Sequence, residues 1–325
     1  MKVAITALEY YLPQSVEDNA ALAVDNPDWP MAAIEEKIGI KSRHVAAAEE
    51  TAADMAVSAA EKLFAGGVDK ETVDFVILVT QSPDYALPTS ACLVQDRLGL
   101  KKNCMAFDVN LGCSGFVYGL GLGGSMIESG LASGGLVVCS ETYTKYIDPH
   151  DRTCRPVFGD GAAAVVLAAS SRDALGPFEM GSDGSGGGSL MVADSGARRG
   201  EAPASQPVLF MDGAKVLMFT MDKVPQCMEA VLQKSEKTLD DIDYFIFHQA
   251  SRLVVDNIVR RMDLPEEKVF RNYENIGNTV SAALPVALKD AVAAKKISDG
   301  DLVMLVGFGV GYSWGACLVE WGGGP

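Results

Sequence analysis

With 325 residues, of which 48% are hydrophobic, the chain is long enough to bury one large core or two of ordinary size, which excludes a disordered or fibrous protein. Its 43 acidic against 27 basic residues give a formal net charge of −16, which argues against a nonspecific binder of nucleic acid or of anionic membrane, since both require an excess of Lys and Arg. Seven cysteines without metal-ligand spacing fit reduced thiols in a cytoplasm better than a disulfide framework or a zinc site.

The amino-terminal run from Met1 to Glu9 carries one lysine and an apolar stretch too short for a secretory core, so export is not indicated. Val73 to Leu78 reads as a buried strand, and the helix after it ends at Arg97-Leu-Gly-Leu100. Phe107 to Gly115 leads into a glycine-rich helix. Val109 to Ile127 holds no charge, but six of its nineteen residues are glycine and neither flank is basic, so a membrane span is rejected. Gly115, Gly119 and Gly123 lie on one helical stripe; each costs about 1 kcal/mol relative to alanine, a cost that close packing on a neighbour would offset. Gly135 to Cys139 and Gly161 to Leu167 read as further strands. Gly181 to Ser189 lacks the Gly-Lys-Ser/Thr ending of a phosphate loop and is expected to be a flexible surface loop.

The same order of parts then recurs. Ile242 to Phe247 is a strand, its helix ends at Arg261-Met-Asp-Leu264, and Asn275 to Ala282 opens a helix of small residues where Phe107 to Gly115 opened the first. Asp301 to Val306 and Trp314 to Val319 complete the series. Short apolar strands alternating with helices predict an α/β fold with sheets covered on both faces. The repetition predicts two pseudo-symmetric halves, 1–170 and 171–325.

The chain has three histidines, His44, His150 and His248. His44 follows Lys41 and Arg43 in a loop, and His150 lies in the turn Asp148-Pro-His-Asp-Arg152. His248 ends an apolar strand and precedes a helix, at the carboxyl edge where open α/β sheets place their sites. Cys113 occupies the corresponding region of the first half, at the amino end of the glycine helix, where free backbone N–H groups and the helix dipole favour a thiolate. By itself a cysteine there is more often a small hydrophobe than a nucleophile. Asn278 supplies an amide donor at a third loop, or simply an N-cap.

Gly112-Cys-Ser-Gly-Phe116, Phe158-Gly-Asp-Gly161, His248-Gln-Ala-Ser251, Gly277-Asn-Thr279 and Phe308-Gly-Val-Gly-Tyr-Ser-Trp-Gly315, with Gly39-Ile-Lys-Ser-Arg-His44 near the start, resemble β-ketoacyl-acyl carrier protein synthase III of the thiolase superfamily. The resemblance spans nearly the whole chain. It implies a homodimer of a thiolase-like duplicated α/β fold, layered α-β-α-β-α, with a catalytic triad of Cys113, His248 and Asn278. Cys113 would take an acyl group from an acyl-CoA, its oxyanion held by the N–H groups of Cys113 and Gly309. His248 and Asn278 would then hold the enolate formed as malonyl-acyl carrier protein loses carbon dioxide. Coenzyme A enters as a substrate thioester, and neither a resident cofactor nor a metal is implied.

On the coenzyme A side the resemblance points to Trp29, Lys37 and Arg152. The spacing after Trp29 is longer than usual in the family and Lys37 replaces an arginine, a point charge where a planar fork would stack. Leu87 resembles the position that reaches across the dimer to end the partner's acyl pocket. Arg252, Arg260 and Arg261, beside the apolar stripe of the helix after His248, are expected to dock the acidic carrier protein; alternatively Asp256 simply pairs with Arg252 and Arg260. The same triad would also serve acyl transfer to a hydroxyl or amine, or condensation of two acyl-CoA thioesters. A non-catalytic partner subunit would ordinarily have lost the cysteine. A 3-hydroxy-3-methylglutaryl-type synthase is disfavoured, because no glutamate follows a comparable first-half strand.

Overall fold

The computed structural model describes residues 2–198 and 208–322. The first half contains β1 (Lys2–Tyr11), β2 (Ser15–Asp18), α1 (Asn19–Asp25), α2 (Met31–Ile38), β3 (Ser42–Val45), α3 (Ala52–Ala65), β4 (Phe75–Val79), α4 (Ser90–Arg97), β5 (Met105–Val109), α5 (Gly115–Glu128), β6 (Gly134–Glu141) and β7 (Gly161–Ser170). The second contains β8 (Leu175–Ser182), β9 (Leu190–Val192), β10 (Leu209–Met211), α6 (Gly213–Ser235), β11 (Tyr244–Phe247), α7 (Arg252–Met262), α8 (Ala283–Ala293), β12 (Leu302–Gly309) and β13 (Ser313–Glu320).

Two sheets carry the same strand order. In the first, β1-β7-β6-β4-β5, β4 runs parallel to β5 and β6 while β7 is antiparallel to its neighbours. In the second, β8-β13-β12-β11, β11 is parallel to β12 and β13 is antiparallel on both sides. A parallel bridge from Phe245 to Val269 stands where β5 pairs with β4. The duplication seen in the sequence is thus a duplication of topology. β1 and β8, which sequence reading did not single out as strands, close the matching edges.

Helices α5 and α8 lie between the sheets: α5 packs on β4, β6 and β7 and also on β12 and β13, and α8 on β1 and β7 as well as β11 and β12. α3 and α4 cover the outer face of the first sheet and α6 that of the second, giving five layers, α-β-α-β-α. The glycine stripe explains how α5 fits. A Cβ at Gly115, Gly119 or Gly123 would come within 2.3 Å of Val79, 2.7 Å of Val137 or 2.8 Å of Leu167, so only a bare backbone seats the helix this close to the sheet.

The Gly181 to Ser189 segment departs from its expectation. β8 runs to Ser182, Asp183 exchanges backbone hydrogen bonds with Tyr312, and Gly184–Ser189 forms a short 3₁₀ turn. A Cβ at Gly186 would lie 2.0 Å from the Tyr312 ring, so this glycine serves close packing on an aromatic. Among the described residues, no helix is long and apolar enough to cross a membrane.

Candidate active site

Cys113 lies in the link between β5 and α5, two residues before the helix, and is buried, at 5% exposure. Part of its surroundings comes from the other half of the molecule. The β12–β13 turn runs against it so tightly that a Cβ on Gly309 would stand 2.9 Å from both Cβ and Sγ of Cys113. Ser313 Oγ donates to the Val310 carbonyl at 2.7 Å, so Ser114 Oγ is the donor in its 2.7 Å contact with Ser313, pinning that turn to the residue after the cysteine. The backbone N–H groups that reach toward Sγ belong to Val310 and to Cys113 itself. Gly309 packs directly against the thiol, and the N–H that reaches Sγ from this turn is that of Val310.

The ionisation of the thiol also differs from expectation. Burial, reinforced by the charge of Glu141, pushes Cys113 up to about 12, and the two N–H groups offset only part of this. In the free protein Cys113 is therefore a thiol. The helix-start field is outweighed because Sγ has almost no access to water.

His248 follows β11 and is tied into the sheet edge by its own N–H, which donates to Val306 O at 2.8 Å. Its ring meets Phe308 edge-on at 5.7 Å between centroids. Burial lowers its pKa to about 3, and Nδ1 has no hydrogen-bond partner among the described residues, so the imidazole is neutral at physiological pH. Cys113 and His248 are thus both neutral in the free protein. Asn278 is held by its backbone, N–H to Val157 O at 2.9 Å and carbonyl to the Gly159 N–H at 3.0 Å. Its Oδ1 accepts from the Val280 N–H at 2.9 Å, which assigns the other end of the amide, Nδ2, as the free donor. The N-cap alternative is not what forms, since Asn278 closes a local turn ahead of α8. Val280 takes φ of 55°, a left-handed conformation uncommon for a β-branched residue, as the chain turns away from the site.

Cys113, His248, Asn278 and Gly309 all line one cavity of about 460 Å³. Its walls are mainly apolar, from Phe158, Leu190, Met211 and Val254 among others, and Lys37 lies on its rim. Of the other sequence candidates, Trp29 and Arg152 lie outside this lining, Trp29 half-buried and Arg152 exposed. Their two turns are nevertheless joined: Asn26 donates to Pro149 O at 3.4 Å and contacts His150 Nδ1 at 2.8 Å. Leu87 is 83% exposed and is not among the residues that line the cavity. Arg260 and Arg261 are exposed on α7, while Arg252 is half-buried and donates to the carbonyls of Glu35 and Glu36 at the end of α2. Asp256 pairs with Arg271 at 3.0 Å rather than with either arginine expected.

Sequence reading missed the buried scaffold beneath the thiol. Glu141, fully buried at the end of β6, accepts from Gln81 N–H at 3.0 Å, Ser82 Oγ at 2.8 Å and Ser281 Oγ at 2.9 Å. It joins the loop after β4 to the turn just beyond Asn278, one loop from each half. Burial raises this carboxyl to about 8 despite those donors. Arg43, also fully buried, donates to Pro156 O at 3.0 Å, and its Cβ is 3.0 Å from where a Cβ on Gly277 would be, so it packs directly under the Asn278 turn. The only sequence signal for Glu141 was an acidic residue closing an otherwise apolar strand. Among the described residues no group of three or more His, Cys, Asp or Glu is placed to hold a metal.

The family model described as 3-oxoacyl-[acyl-carrier-protein (ACP)] synthase III matches residues 107–184, and that for the C terminal part of the same synthase matches residues 232–321. The chain is 36% identical over 322 residues to the β-ketoacyl-[acyl-carrier-protein] synthase III of Natranaerobius thermophilus, covering 95% of this chain and 96% of that one. A crystal structure of a 3-oxoacyl-(acyl-carrier-protein) synthase III superposes with a TM-score of 0.92 at 43% identity, covering 99% of this chain and 100% of the other. The priming β-ketosynthase of the R1128 polyketide biosynthetic pathway superposes with a TM-score of 0.92 at 32% identity over 100% of this chain and 97% of its own.

Proposed function

Because the chain belongs to the 3-oxoacyl-[acyl-carrier-protein] synthase III family, we propose that it is an acyltransferase that condenses an acyl group from coenzyme A with a malonyl group on an acyl carrier protein, in fatty acid or polyketide synthesis. The observation that carries this reading is the convergence of Cys113, His248 and Asn278, from three loops of two halves, on one largely apolar cavity.

In the first half-reaction Sγ of Cys113 attacks the thioester carbonyl. The carbon–sulfur bond to coenzyme A breaks, and the departing thiolate takes up the proton that Sγ gives up. The oxyanion formed in between meets the N–H groups of Cys113 and Val310, which are fixed before the substrate arrives. In the second, the malonyl thioester loses carbon dioxide and the electron pair of the broken bond becomes an enolate. Neutral His248 and the Nδ2 amide of Asn278 donate to its oxygen. The enolate carbon then attacks the acyl carbonyl, and the bond to Cys113 breaks as the sulfur regains a proton. A neutral imidazole suits this role, because decarboxylation generates the carbanion without a base and the site needs donors for a developing negative charge.

The coenzyme A thioester is substrate, and no resident cofactor takes part. Trp29, Lys37 and Arg152 are the residues proposed to meet its nucleotide end, in line with Lys37 on the cavity rim. Arg252, Arg260 and Arg261 are proposed to dock the carrier protein. The division into halves at residue 170 is part of the same reading, as is a cytoplasmic homodimer. The half-buried edge strand β5 with the exposed Tyr85 and Leu87 offers the dimer face, and the seven free cysteines fit a reducing compartment. The test is a reconstitution with acyl-CoA and malonyl-acyl carrier protein. The expected result is equal release of carbon dioxide and free coenzyme A with formation of a 3-oxoacyl-carrier product. Acyl transfer to a hydroxyl or amine acceptor without carbon dioxide release would replace the condensation reading.

A further inference from the structure

A donor such as the Asn278 amide is effective only where the backbone beneath it is fixed. Both backbone hydrogen bonds of Asn278 go to one neighbouring segment, its N–H to Val157 O and its carbonyl from the Gly159 N–H, with a parallel bridge between Phe158 and Asn278. Whatever holds residues 156–160 therefore holds Asn278. That segment is tied in turn to β3, no residue of which lines the cavity: His44 O accepts from the Asp160 N–H at 2.8 Å. The chain just before Asn278 is tied to the same strand, because the N–H groups of Lys41 and Ser42 donate to Glu274 O at 2.7 and 3.2 Å.

Arg43 stands at this junction. A Cβ on Gly159 would lie 3.1 Å from the Arg43 Cβ, and one on Gly277 3.0 Å from it, so bare backbone from both segments packs against its stem. Its Nη2 donates to Pro156 O at 3.0 Å and to Asn19 Oδ1 at 2.6 Å. Burying this cation is costly. Arg43 is fully buried, Nε and Nη1 have no hydrogen-bond partner among the described residues, and burial lowers its pKa to about 10. Buried charged groups are often replaced by apolar side chains of similar volume without loss of stability. The hold on Pro156 O is what an apolar residue could not supply.

We infer that Arg43 is a positioning residue for Asn278: by holding Pro156 and packing against Gly159 and Gly277 it sets where the Nδ2 donor meets the enolate oxygen. The inference rests on the enolate role of Asn278 proposed above. The hydrogen bonds of Arg43 go to Pro156 and Asn19 rather than to the loop of Cys113, so acylation is expected to be spared.

The experiment is a double-mutant cycle on the full-length protein. Arg43→Met and Arg43→Leu, which both remove the donors, are made in the wild type and in Asn278→Ala, with folding checked by circular dichroism. Decarboxylation of malonyl-acyl carrier protein and acylation of Cys113 by acetyl-CoA are measured separately. A displacement of about 1 Å at a reacting group can cost about 100-fold. Each Arg43 variant is expected to lower decarboxylation by about 10- to 100-fold with acylation within about threefold of wild type. In the Asn278→Ala background the same substitutions are expected to lower decarboxylation by no more than about threefold further, as two residues acting through one donor must. Additive losses in the cycle, equal losses in both half-reactions, wild-type decarboxylation in the Arg43 variants, or failure of both variants to fold overturns the inference alone. Unimpaired decarboxylation in Asn278→Ala overturns the enolate role of Asn278 and this inference with it.

Discussion

Replacing Glu141 with Gln tests whether a carboxyl buried beneath the nucleophile is held neutral. Its partners are donors from the two loops it joins, Gln81 N–H, Ser82 Oγ and Ser281 Oγ, and no cation pairs with it among the hydrogen bonds and ion pairs of the described residues. Burial raises its pKa from 4.5 to about 8. Between those two pH values the folded protein binds a proton that the unfolded chain has released. The contribution of Glu141 to stability is therefore fully present below about pH 4.5 and is lost as pH rises through 8. At about 1.4 kcal/mol per pH unit the whole loss is at most about 5 kcal/mol. Glu141→Gln removes the titration. At pH 5 it should cost about 1–3 kcal/mol, because one amide cannot satisfy all the donors. By pH 9 that deficit should have shrunk or reversed. Urea unfolding of both proteins at equal concentration, at each pH, reads the difference directly, and other buried acids such as Asp160 cancel in it. Parallel curves from pH 5 to 9 would refute the reasoning, since they would mean that the donors keep Glu141 ionised in spite of burial.

His248→Ala and Asn278→Ala should each lower malonyl decarboxylation by about 100- to 1000-fold, the usual value of one preorganised donor, while slowing Cys113 acylation far less; equal losses in both half-reactions would make His248 an activator of the thiol instead. Since His248 is held neutral by burial, wild-type decarboxylation of the malonyl thioester should stay flat from pH 8 down to 5, and a titration near 6.5 in that profile would contradict the placement. Gly309→Ala would put a methyl group 2.9 Å from Sγ and displace the Val310 N–H, so acylation should fall by about 100-fold with the fold intact by circular dichroism, and a loss below about threefold would remove Val310 from the oxyanion site. Reversing Arg252, Arg260 and Arg261 to Glu should raise the KM for malonyl-acyl carrier protein and leave self-acylation almost unchanged, with higher salt acting in the same direction on the wild type; unchanged kinetics would point to an acceptor without an acidic carrier.

Much of the fold was legible because hydrophobic strand runs, glycine spacing and loop motifs recur in the same order in both halves. Cys113, His248 and Asn278 were legible for a related reason, since each sits in a strand-end or helix-start motif and those positions converge when the halves pack. What the sequence could not show was the balance of forces at the site. The helix-start position of Cys113 argues for a thiolate, and only the packing reveals a burial large enough to win. Which N–H of the β12–β13 turn reaches Sγ, that of Val310, depends on the turn's backbone rather than on composition. Glu141, Gln81 and Tyr143 carry no motif, and the hydrogen bonds that join them link residues some 60 positions apart. The pairing of Asp256 likewise went to Arg271, a residue of another loop, where helical spacing alone favoured Arg252 and Arg260.

The central claim is that Cys113 is the residue that carries the acyl group, and intact-mass measurement of the wild type and Cys113→Ala after incubation with acetyl-CoA tests it most directly. The account predicts a single acetyl increment on the wild type, located by peptide mapping to Cys113 and absent from the variant. Labelling that persists in Cys113→Ala, at the exposed Cys92 or any other thiol, would contradict it.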